Sequence, residues 1–149
     1  MLRPATLNVG VDALRETDIL SALQVWMGAG LGQTEWSTPL TWSLSATGAK
    51  AIALVQKKPG GIDVLGASVG ASADFLQFCR DMVVASCAPG IHERHVVGVG
   101  QLAWSVVIGQ RLTLVTFALY ENRADLRLLG EVSRMAERCV ISSLSHRVC

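Results

Sequence analysis

Residues 101–120, QLAWSVVIGQRLTLVTFALY, and residues 121–144, ENRADLRLLGEVSRMAERCVISSL, decide how this chain folds. In the first stretch two alternating apolar runs flank Gly109 and Gln110, the pattern of two antiparallel strands joined by a tight turn. Leu102, Trp104, Val106 and Ile108 share one face of the first run, and residues 111–120 supply its partner. In the second stretch Leu128, Leu129, Val132, Met135, Ala136, Cys139 and Val140 recur at i, i+3, i+4 and i+7, so the spacing predicts a long two-faced helix starting at Asn122 or Asp125. The pairs Arg127 with Glu131 and Glu131 with Arg134 contribute only about 0.2–0.5 kcal/mol each, so burial of the apolar side has to hold that helix down.

Working towards the N-terminus, Ser72 reads as the cap of a helix over 73–87, with Phe75, Phe78, Cys79, Met82 and Val83 as its stripe and Ala88, Pro89 and Gly90 ending it. Gly98 and Gly100 mark a bulge or bend in a strand expected over 95–108. Leu40, Trp42, Leu44 and Ala46 alternate with Thr41, Ser43 and Ser45, which predicts a half-buried strand. Runs 51–56 and 62–69, separated by Lys57, Lys58, Pro59, Gly60 and Gly61, complete a three-stranded meander. A first helix is expected over 11–27, stopped by Gly28, Gly30 and Gly32. The expected fold class is α+β: a single antiparallel sheet of about five strands with three helices, in the order α-β-β-β-α-β-β-α.

At 149 residues the chain is expected to form one domain over 1–149, with flexible ends at 1–10 and 145–149. Half of the residues are apolar and only 17% are charged, a surplus of greasy surface that calls for a partner. Every apolar stretch is interrupted well before the roughly 20 residues a bilayer requires, so no membrane span is expected. Met1, Leu2, Arg3 and Pro4 lack the pattern of a secretory signal. Net charge is +1 and the pI is 7.7, without the basic stripe that nucleic-acid binding demands. Cys79, Cys87, Cys139 and Cys149 show no CxxC spacing and read as thiols of a reducing compartment, the cytoplasm.

Three groups of residues bear on chemistry. Gly66-Ala67-Ser68-Val69-Gly70 matches the GxSxG nucleophile elbow, which would need a base from His92, His95 or His146 and an acid from Asp125 or Glu93. Val69 continues the strand pattern and Ser72 offers a separate cap, so the small residues are read as close packing and the chain as no enzyme. Cys87, His92 and His95 have ligand types suited to zinc, but without a third or fourth partner no metal is expected, and no other cofactor is implied. Of the four tryptophans, Trp26 and Trp104 lie on periodic apolar faces as core or dimer residues, whereas Trp36 and Trp42 are candidates for partner contact.

The order of elements resembles the class I type III secretion chaperones, small cytosolic proteins that hold bacterial effectors before export. The likeness rests on Gly30-Leu31-Gly32 after the first helix, on the meander from Trp42 through Ala51-Ile52-Ala53-Leu54-Val55 to Gly70, and on residues 111–119 with the closing helix. It implies a homodimer meeting through Phe75, Phe78, Met82 and Trp104. It further implies an N-terminal segment of a secreted effector wrapped along Leu14, Leu23, Trp42, Leu44 and Ile52, without ATP. These chaperones are typically acidic, and this chain is nearly neutral. The second half also resembles roadblock-type domains, dimeric regulators of small GTPases and motors, through the hairpin and helix of residues 111–139. A roadblock domain places its first helix directly before its first strand and has two strands before its second helix, where the chaperone has three. A small serine hydrolase acting through Ser68 is the third reading.

Overall fold

The hairpin turn at Pro59 and Gly60 joins two strands, Ala51–Lys58 (β1) and Gly61–Ala67 (β2), in register from Lys58 opposite Gly61 to Ala53 opposite Ala67, with one bulge between Leu54 and Val55. The computed structural model describes residues 24–85, 88–109, 112–121 and 123–148. Three further strands, Gly90–Val96 (β3), Gly100–Ile108 (β4) and Thr113–Tyr120 (β5), complete one antiparallel sheet ordered β2-β1-β5-β4-β3. The α+β class and the single five-stranded antiparallel sheet therefore match the reading of the sequence, but the strands are not the same five.

One expected strand is a helix. Residues 40–46 belong to Ser37–Thr47 (α2), which follows a helical stretch over 24–30 (α1). Leu40, Ser43 and Thr47 are buried at i, i+3 and i+7 while Trp42 is 51% exposed, so the run LTWSLSA satisfies a helical period as well as an alternating one. The serine that signalled an outward strand position faces inward and is fully satisfied. The Trp26 indole N–H donates to Ser43 Oγ at 3.1 Å, Ser43 Oγ donates to the Pro39 carbonyl at 2.8 Å, and Thr47 Oγ1 donates to the Ser43 carbonyl at 2.8 Å. Pro39 is tolerated because it sits in the first turn, where its missing N–H has no helical partner. Gly48, in the left-handed region at φ 74°, closes the helix by donating its N–H to Leu44 O at 2.8 Å.

The second correction lies at residues 90–108. One long strand was expected over 95–108, but Gly98 and Gly100, at φ 80° and 132°, turn the chain back on itself and make a β3–β4 hairpin with Val96 opposite Gly100. The strand count is preserved because β3 replaces the strand lost to α2. With α1, α2, Ala73–Ala85 (α3) and Leu126–Val148 (α4), the described residues hold four helices where three were expected.

Both sheet faces are covered over β1, which explains why all residues from Ala51 to Gln56 are buried. Ile52, Leu54, Leu114 and Ala118 point to one core, with Trp26, Leu40 and the α4 residues Leu129, Val132, Ala136 and Val140. Ala51, Ala53, Val55, Val115 and Phe117 point to the other, beneath Phe75, Cys79 and Val83 of α3. The closing helix starts as its spacing predicted: Asp125 accepts the Leu128 N–H on its side chain at 3.2 Å and the Leu129 N–H on its carbonyl at 3.0 Å.

Candidate binding surfaces

On the α3 side the sheet register aligns Ala67, Ala53, Phe117, Trp104 and His92 in one row across all five strands. Rings stack along it, His92 on Trp104 at 5.5 Å between centroids and Trp104 on Phe117 at 6.2 Å. The helix α3, capped by Ser72 Oγ accepting the Phe75 N–H at 3.1 Å, rests on β1 and β2. Phe117 is buried, whereas Trp104, Phe78 and Met82 are half-buried and partly open to solvent. Of the four dimer candidates, these three reach the surface. Phe75, 6% exposed, is a core residue because it occupies the first inward turn of α3.

The side expected to hold a client divides similarly. Leu14 and Leu23 lie outside the described residues. Ile52, the second residue of β1, is fully buried and cannot meet a partner in the folded chain. Leu44 is half-buried against the core, and only Trp42 stands clear. Trp42 borders a groove of about 360 Å³ between α2 and the end of β2, lined by Ser37, Thr41, Ala67 and Val69 among others. Sequence reasoning missed Val69 as a surface residue; it is 65% exposed. Its N–H donates to Thr41 Oγ1 at 3.1 Å, tying one groove wall to the other. Ser37 is shared with an adjoining cleft of about 540 Å³ that includes Trp36, Leu65 and Gly66. Trp36 is half-buried, packed at 5.8 Å against Trp26, so it is part of the wall and Trp26 part of the core.

The Ser68 hydroxyl is engaged with the backbone, and the side chain of His146, the third candidate base, lies outside the described residues. Ser68 Oγ accepts the Ile52 N–H at 2.8 Å and donates to the Val69 carbonyl at 2.9 Å, so it extends the β1–β2 ladder with a side chain. His92 and His95 sit on β3 at the opposite edge of the sheet, four strand spacings or roughly 19 Å away. The flanking glycines serve close packing. A Cβ on Gly66 would lie 2.8 Å from Trp36 Cβ, and one on Gly70 only 2.7 Å from the Lys50 carbonyl oxygen.

Of the grouping Cys87, His92 and His95, Cys87 lies outside the described residues. His92 Nε2 lies 2.8 Å from the Ala88 carbonyl, and His95, three residues further along a strand, points to the opposite face. Among the described residues no group of three or more His, Cys, Asp or Glu could hold a metal. Burial pushes the Cys79 thiol up to about 12 and raises that of Cys139, so neither is a thiolate near neutral pH. Among the described residues no helix is long and apolar enough to cross a membrane.

No protein-family model matches this chain, and no curated protein sequence does. Solved structures do resemble it. A GAF domain assigned to a sensor histidine kinase of Pseudomonas syringae pv. tomato superposes with a TM-score of 0.66 at 10% identity, over 97% of this chain and 94% of its own. A free methionine-R-sulfoxide reductase from Neisseria meningitidis, solved with its substrate, gives 0.50 at 12% identity over 86% and 91%. At such identities the likeness defines a GAF-like fold and nothing finer.

Proposed function

We propose that the chain is a non-catalytic, dimeric protein-binding module of the roadblock type, acting in the cytoplasm on a small GTPase or a comparable regulatory partner. One observation carries the choice. Residues 37–47 form a helix leading directly into β1, and among the described residues two strands precede α3, which supports the roadblock order over that of an effector chaperone. The chaperone reading drew on residues 42–46 as a strand, and those residues are helical. It keeps the support of Trp42, expected to face a client and 51% exposed.

The dimer face runs over Phe78, Met82 and Trp104, where large apolar and aromatic side chains remain partly open beside a covered core. An isologous two-fold there would bring each residue of the patch against the same patch on the partner. Against catalysis stand the backbone-bound Ser68 hydroxyl and the protonated Cys79 and Cys139 thiols. Isolation of the tagged chain from its native host tests the reading. A bound GTPase supports it, the N-terminal segment of a secreted effector would transfer it to the chaperones, and recovery of neither would sink it.

A further inference from the structure

One row of the sheet on the α4 side runs Leu54, Thr116, Ser105 and Ile91, from β1 through β5 and β4 to β3. The helix α4 crosses this row. At the β3 end Gly130 meets Ile91, where an added Cβ would lie 3.3 Å from Ile91 Cδ1, and at the other end Leu129 and Val132 share the core of Leu54. Ser133 is three residues beyond Gly130 and four beyond Leu129, so it stands on the same helix face as both, and it is buried. That places it over the middle of the row, where Thr116 and Ser105 are buried side by side. Among the described residues, neither Thr116 Oγ1 nor Ser133 Oγ has a hydrogen-bond partner.

We propose that one water molecule is bound between α4 and the sheet, bridging Ser133 Oγ and Thr116 Oγ1, with the Ser105 hydroxyl as its third partner. A buried hydroxyl left unpaired is costly, and protein interiors satisfy nearly all of them. Thr116 has little choice of protein partner, because the backbone groups on either side of it are taken by the ladders to β1 and β4. A water is suited to the place, since each hydroxyl both donates and accepts and three of them meet its usual number of bonds. Gly130, Ala103, Ala118 and Ala136 keep the surrounding side chains small. The bridge also fixes the register of α4. A slide of one turn in either direction would set the apolar Leu129 or the charged Glu137 over the hydroxyls, and each is a poorer match than Ser133.

A crystal structure of the native chain that resolves ordered solvent tests the assignment. One water should lie within about 3.2 Å of both Ser133 Oγ and Thr116 Oγ1. Ser133 Oγ turned back onto the Leu129 carbonyl with no water beside it, or a direct bond between the two hydroxyls, overturns the proposal. A mutant cycle followed by chemical denaturation gives a second measurement. Thr116→Val and Ser133→Ala should each raise the unfolding constant roughly tenfold, because each strands the opposite hydroxyl. The double variant leaves neither hydroxyl and should be no worse than the worse single. Losses that multiply to roughly a hundredfold in the double variant would mark independent sites, and single variants that change nothing would mark hydroxyls already satisfied; either result removes the bridge.

Discussion

Ser43→Ala and Ser45→Ala together discriminate the helical α2 from the strand its sequence pattern suggested. On a strand these two serines share the solvent face, and both changes would be harmless. In the helix they part company. Ser43 is fully buried and accepts the indole N–H of Trp26, itself fully buried, so the alanine leaves that donor without a partner. An orphaned buried donor costs about 1–3 kcal/mol. At this chain length each kcal/mol lowers the unfolding midpoint by roughly 2–4 °C, so Ser43→Ala should drop it by about 2–12 °C. Ser45 is exposed and bonds only the Trp42 carbonyl at 3.2 Å, and its alanine variant should stay within about 0.5 kcal/mol. Thermal unfolding followed by circular dichroism reads both, and the tryptophan emission of Ser43→Ala reports the lost indole bond separately. Two unchanged midpoints, or two equal losses, would refute the placement of α2.

Other substitutions probe the neighbouring structure. Gly70→Ala should cost about 1–3 kcal/mol in chemical denaturation, since its φ is 86° and the new Cβ would press on the Lys50 carbonyl. Ser68→Ala should lose stability in the same range by freeing the Ile52 N–H, and a fluorophosphonate probe should leave native Ser68 unlabelled. Alkali should destabilise the fold: burial raises Cys79 from 9.0 and Tyr120 from 10.0, each to about 12. The unfolded chain therefore sheds these protons first, so stability holds below pH 9 and falls as pH climbs towards 12, with a shallower fall in Cys79→Ala.

Elements with one dominant period were legible. The β4–β5 hairpin, β1 and the closing helix follow from apolar residues recurring at two or near 3.6; the helix stripe is buried with Met135 half-buried, whereas of the face named on β4 Leu102 and Val106 are buried, Trp104 is half-buried and Ile108 exposed. The segment LTWSLSA defeated the same reasoning because serine and threonine read as outward residues on a strand, yet in a helix they can bond the carbonyl one turn back and bury. The strand β3 was hidden for a different reason. At a sheet edge His92, Glu93, Arg94 and His95 remain accessible, so its residues carry little hydrophobic signal. The candidate surfaces were half legible. Periodicity identifies an apolar stripe but not which members stay outside, hence Phe78 and Met82 surface while Phe75 does not, and Trp42 surfaces while Ile52 does not. Val69 escaped notice because its neighbours matched an elbow motif whose serine is spent on the backbone.

Light scattering of the purified chain across a range of concentrations tests the central claim most directly. A dimer built over the α3 face should give about twice the chain mass of 15.9 kDa, and Met82→Glu should return it to a folded single chain while Val69→Asp leaves it paired. A mass of one chain at every concentration, or a dimer indifferent to Met82, would contradict the account.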